Sequence, residues 1–155
     1  MPRILFEENT TLWWVPTIAN TNTPTAAEIN AGVNLTSFVP KDGIKFGISN
    51  NRVSIAAIDS AFDAEIMGSH AAALTVDFFR DDTTDTAWTT LPRRSVGHFV
   101  IRLRGTGAAT AGQSVMVFPV QTGQRIPNDS AANEKQRFTV ETAVHSEPRF
   151  TATVA

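Results

Sequence analysis

His70, His98 and His145 are the side chains of this sequence best suited to metal ligation or to general base chemistry at neutral pH. They stand far apart and match neither HExxH nor zinc-finger spacing, so a metal site could only be assembled by the fold. The acidic run Asp81-Asp82-Thr83-Thr84-Asp85 offers oxygen donors to calcium. It lacks the glycine and the distal bidentate glutamate of an EF-hand loop and reads as a solvated hairpin tip. Cysteine is absent, which removes thiolate zinc sites, catalytic thiols and disulfides. No phosphate-binding GxxxxGK[ST] occurs, Gly105-Thr106-Gly107 lacks the third glycine of a dinucleotide fingerprint, and no G-x-S-x-G elbow announces a nucleophile. The expectation is a protein without a cofactor and without an active site.

Two other groupings suit recognition better than catalysis. Arg93, Arg94, Arg102 and Arg104 form the most basic stretch, and on a strand the last two share a face. No aromatic stacking platform interleaves with them, since Phe99 falls on the opposite face, so an interface is the better reading than nucleic-acid contact. Adjacent strand residues point to opposite sides, so one indole of Trp13-Trp14 can be core while the other anchors a subunit contact; both rings buried between helix and sheet is the alternative.

The elements that would position these groups are mostly strands. Leu74–Phe79, Phe99–Arg104 and Arg137–Ser146 alternate apolar and polar residues, as strands do. Val115–Val120 is apolar on both faces, as expected of a strand covered on two sides, with Pro119 marking an edge or a strand end. Arg149–Val154 pairs back, and Thr11–Val15 and Arg52–Ile58 are further strands rich in aromatic or β-branched residues. One short helix is expected over Thr25–Gly32, where Thr25 and Glu28 have capping-box spacing and Gly32 suits a left-handed terminus. A second short helix is conceivable within 59–71, through Ala61, Phe62, Glu65 and Ile66. Loops are expected over 41–50, 105–113 and 122–133.

At 155 residues the chain is long enough for one core burying roughly 70 % of its unfolded surface. With 42 % hydrophobic and 18 % charged residues it falls in the globular range. No composition break or repeat divides it, so residues 1–155 are read as one domain, mainly β: a single β-sandwich or barrel with one short flanking α-helix. No apolar run reaches the roughly 20 residues of a membrane span, and the N-terminus lacks the pattern of a secretion signal. Net charge is −2, yet residues 1–90 carry five basic and eleven acidic side chains and residues 91–155 carry eight and four. Such a split could let one copy attract the next head to tail, or be mixed on every face by folding.

Laid out this way, the chain resembles the major tail proteins, or tail tube proteins, of siphophages that infect actinobacteria. The resemblance runs from Trp14-Val15-Pro16 through the Asn/Thr/Pro spacer to Glu28-Ile29-Asn30-Ala31-Gly32-Val33-Asn34-Leu35-Thr36, and resumes at Phe138-Thr139-Val140, Glu147 and Ala152-Thr153-Val154-Ala155. It implies a virion protein of the phage tail, made in the host cytoplasm. Six copies would form a ring whose inner strands line a lumen. Rings would stack into a tube around the tape measure protein, between tail initiator and tail terminator proteins, and DNA would pass without specific binding. Neither catalysis nor a membrane is implied.

For ring and stacking contacts the expectation falls on Lys41–Ser49 and Thr122–Lys135, within them Lys41, Asp42, Lys45, Arg125, Asp129 and Lys135, together with Trp13, Trp14, Arg102 and Arg104. A lumen that must not hold phosphates should exclude Arg102 and Arg104. Competing readings are a tail terminator or capsid decoration protein, and a soluble β module that stacks a carbohydrate on Trp13, Trp14 or Trp88.

Overall fold

A computed structural model describes residues 2–128 and 131–155. Eight strands are β1 (Thr11–Val15), β2 (Val33–Asn34), β3 (Ile44–Ser54), β4 (Glu65–Phe79), β5 (Val96–Arg102), β6 (Ser114–Pro127), β7 (Arg137–Val144) and β8 (Arg149–Thr153). Two short helices, α1 (Ala26–Ala31) and α2 (Thr86–Thr90), and a 3-10 turn at Thr36–Phe38 complete it. The strands form one antiparallel sheet in the order β2-β1-β5-β6-β7-β4-β3, with β8 also paired to β6.

The sheet curls on itself. β4 and β5 are three strand spacings apart, about 14 Å in a flat sheet, yet the Phe78 and Phe99 rings stack with centroids 6.5 Å apart. Phe46 on β3 likewise meets Phe118 on β6 at 5.8 Å. The inner face so enclosed carries Leu12, Trp14, Leu74, Val76, Phe78, Phe99, Ile101, Phe118, Val120, Phe138 and Val140, all buried. This is the sandwich-like core expected from alternating strands, made by one continuous sheet.

Behind β1, β5 and β6 lies a second apolar layer, in which Trp13, Val15, Val100, Val115 and Val117 meet Ile29 of α1 and Ala152 and Val154 at the C-terminus. Being covered on both faces is why β1 and the first half of β6 read as continuous apolar runs. α1 starts as its sequence dictates: Glu28 N donates to Thr25 Oγ1 and Thr25 N donates to Glu28 Oε1, both at 3.1 Å.

Several expectations are corrected. Gly32 is extended (φ −74°, ψ −177°), not left-handed. Glycine is needed there for space, since a Cβ would lie 2.5 Å from the Trp14 carbonyl oxygen. Most of 41–50 is β3 rather than loop, that strand ends at Ser54 short of Ile58, and β6 extends through 122–127. Residues 65–71 are strand β4, not helix. A second helix, α2, stands instead just after the acidic loop. Pro119 lies inside a strand, at the point where β6 changes partner from β8 to β7. A residue without an N–H is tolerated at that break in the ladder.

Candidate assembly surface

β3 pairs with β4 from end to end, Ile44 against Val76 and Ser54 against Glu65, but β4 pairs with β7 only over Ala73–Phe79. Beyond Gly47 and Ala73 the two strands continue alone as a ribbon in which Ile48–Ser54 faces Glu65–Ala72, projecting about 23 Å at the usual rise per residue. A register shift between Asn50 and Arg52 sets Gly68 and Ser69 against Asn51, and Asn51 Nδ2 donates to Ser69 Oγ at 3.0 Å. The outer edge of β3 has no strand partner among the described residues.

The ribbon and its turn leave large apolar side chains bare. Ile48, Val53, Ile55, Ile58, Ile66 and Met67 are exposed, and Phe62 at the turn is 76 % exposed. A lone two-stranded ribbon is marginal in water, and an open edge beside exposed apolar side chains invites pairing. Such a surface gains stability when another chain covers it.

A second feature lies where the two ends of the curled sheet approach. Leu12 of β1 and Ile44 of β3 line a pocket of about 270 Å³ with Phe6, Val39 and Pro40. Lys41 at its rim pairs with Glu7 at 3.2 Å.

The residues singled out from sequence scatter around this framework. Trp13 and Trp14 are 8 % and 4 % exposed, one in each apolar layer, so both indoles are spent within the chain. Arg102 lies opposite Phe99 and Ile101 as read, yet is only 2 % exposed. Its guanidinium donates to the carbonyls of Gly107 and Ala108 and to Gln113 Oε1, at 2.6, 3.2 and 2.6 Å, clamping the loop between β5 and β6. Burial, which disfavours the charged form, lowers its pKa from the usual arginine value.

Arg104 is exposed beyond the end of β5. Lys45 pairs with the buried carboxylate of Asp77 at 3.3 Å, and Asp42 pairs with Arg137 at 3.5 Å. Arg125 lies over the Trp88 ring at 4.0 Å, as Arg80 does at 3.9 Å, and donates to the Trp88 carbonyl. Lys135 Nζ sits 5.3 Å from the Phe79 ring. Asp129 falls outside the described residues. The structure therefore gathers Lys41, Asp42 and Lys45 at the start of β3, and does not unite them with the tryptophans or Arg102.

Sequence reading caught only part of the ribbon: the strand expected over Arg52–Ile58 overlaps β3 at Arg52–Ser54, while Ile48–Asn51 and the facing stretch of β4 were not read as strands. A ribbon solvated on both faces has no buried side to impose strict alternation, so β-branched content such as Val53 and Ile66 is the signal that remains.

A protein-family model described as phage tail tube protein matches residues 1–155, the entire chain. The chain belongs to the phage tail tube protein family. It is thus a structural protein of the phage tail, a virion component, and the family is not one of enzymes. Among solved structures, two are similar to this chain in fold at low identity. One is a chain of the anti-feeding prophage baseplate (TM-score 0.56, 9 % identity, 98 % of both chains covered), and the other belongs to the virion of a native gene transfer agent particle (TM-score 0.51, 11 % identity, 78 % of this chain and 89 % of that one). No curated protein sequence matches the chain. No helix among the described residues is long and apolar enough to cross a membrane.

Proposed function

We propose that copies of this chain form six-membered rings that stack head to tail into a hollow tube around the tape measure protein, between tail initiator and terminator proteins, and that the tube later conducts the genome into the host. The observation that carries this reading is the bare β3–β4 ribbon on a family member of the phage tail tube. Its apolar side chains and open edge are costly in an isolated subunit and are covered when identical subunits associate. A heterologous contact repeated between copies closes into rings or extends into filaments, and a tube uses both.

DNA conduction asks that the lumen not grip phosphates. The burial of Arg102 under its own loop supports that, because its guanidinium cannot then reach a channel. The carbohydrate-binding alternative loses its platform: Trp13 and Trp14 are buried, and the Trp88 ring is already taken by the guanidinium groups of Arg80 and Arg125.

Sedimentation velocity over a concentration series, paired with negative-stain microscopy of the same samples, tests the reading. Growth of hollow particles with a regular axial repeat above a threshold concentration is expected. Monodisperse particles at every concentration, with and without tail initiator proteins, would overturn it.

A further inference from the structure

The ribbon ends in a turn that is both acidic and apolar. Residues 55–64 contain Asp59 and Asp63 and no basic residue, with Ile58 and Phe62 exposed beside them. Glu65, next in sequence, pairs with Arg52 at 3.7 Å, whereas neither aspartate makes an ion pair among the described residues.

Elsewhere on the fold is a surface of opposite character. The turn that leads into β5 presents Arg93 and Arg94, both exposed and neither ion-paired among the described residues, followed by Val96 at 60 % exposure. Arg94 has φ +66°, an uncommon conformation for a residue with a side chain. The turn holds it there firmly. Arg94 N donates to the Thr122 carbonyl at 2.8 Å, Ser95 N donates to Thr122 Oγ1 at 3.0 Å, and the buried Thr122 hydroxyl donates to the Pro92 carbonyl at 2.7 Å. Both arginines border a groove of about 370 Å³ with Gln121, Gly123 and Glu141. A strained backbone kept rigid by its neighbours is a feature found at binding sites.

The strand registers put these two surfaces at opposite ends. Gly47 pairs with Ala73, Ala73 with Ala143, Ala143 with Gln121, and Gln121 with Val96, so all five lie in one row across the sheet. β3 and β5 run in the same direction from that row. The ribbon rises from it, and the arginine turn lies on its other side.

We infer that the acidic turn of the β3–β4 ribbon of one copy docks on the Arg93–Arg94 turn of a second copy, Asp59 and Asp63 against the arginines and Ile58 and Phe62 against Val96. This deepens the tube reading and rests on it: acidic tip and basic socket at opposite ends make a contact that does not close on itself and so propagates. Charge complementarity sets which end meets which, and the apolar contacts hold it once formed.

Disulfide trapping tests the contact, because the chain has no cysteine of its own. An Ala61→Cys, Val96→Cys double variant, oxidised at assembly concentration, is expected to give a covalent ladder well beyond dimers, while each single variant stops at dimers. Adding Arg93→Glu and Arg94→Glu should abolish the ladder, and adding Asp59→Arg and Asp63→Arg to that variant should restore it. A ladder indifferent to these reversals, or no ladder at all, overturns the contact. Tubes without a ladder would remove the contact and leave the tube; a ladder without tubes would do the opposite.

Discussion

Gly97 on β5 lies against the indole of Trp14: a Cβ at position 97 would sit 2.6 Å from Trp14 Cζ2. The same indole packs edge-on against Phe99, with centroids 5.0 Å apart. Glycine at 97 is thus a condition of the inner core, and so of the frame that carries the ribbon. Gly97→Ala is expected to cost about 2 kcal/mol through overpacking, or roughly 4–8 °C of melting temperature. Differential scanning calorimetry checks this, and an unchanged melting temperature would show that the indole can move aside.

Arg102 holds the loop between β5 and β6 through three acceptors. Arg102→Ala takes the guanidinium donor from two carbonyls and from Gln113 Oε1, which keeps only Thr110 N at 3.0 Å, at a cost of about 3 kcal/mol. Amide exchange should rise through residues 107–113, with little change in β3 and β4. Arg102→Lys should recover only part of the loss, because an ammonium cannot reproduce the guanidinium fork.

His98 supplies a pH dependence. Burial lowers its pKa from the ordinary 6.5, against the opposing pull of the Val15 carbonyl 3.2 Å from Nδ1. The folded state then holds fewer protons than the unfolded chain between the lowered value and 6.5. The stabilisation is complete above pH 6.5 and is lost as pH falls from there toward the lowered value. Glu28 acts in a lower window. Hydrogen bonds from the Ala19 and Thr25 amides hold its carboxylate below 4.5, so its contribution is present above that value and fades beneath it. Melting temperatures at about pH 7.5 and about pH 5 should differ less in His98→Gln than in the natural chain; an equal difference would assign the effect to other groups.

Ile58 and Phe62 are spent on nothing within the chain. Ile58→Ser with Phe62→Ser should change monomer stability by no more than about 0.5 kcal/mol. Tube growth should nevertheless be lost. Chemical denaturation and electron microscopy of one preparation separate the two effects, and undiminished growth would remove the ribbon tip from the assembly surface.

What could be read from the sequence follows where each element gets its stability. Thr25 and Glu28 cap α1 through neighbours in the chain, so spacing alone revealed the helix. Val115–Val120 and Leu74–Phe79 are buried on at least one face, which writes burial into their composition. Ala61, Phe62, Glu65 and Ile66 suggested helix because their spacing suits one, but the chain there turns and returns as β4. Arg102 looked like surface because its cover is a loop of glycines and small residues, whose placement depends on distant contacts such as Asn30 Oδ1 accepting from Ala109 N at 2.9 Å. Lys41 and Lys45 were expected at an interface on loop composition alone; Lys45 instead stands in strand β3, and the ion pairs of the two lysines with Glu7 and Asp77 come only from the fold.

The central claim is that this chain is a tube subunit whose bare ribbon is covered by its neighbours. Helical cryo-electron microscopy of tubes grown from the purified protein tests it most directly. A hollow tube in which residues 48–67 are buried against other copies is expected; a tube whose ribbons stand clear in solvent, or a protein that forms no tube at any concentration, would show that the ribbon is not an assembly surface.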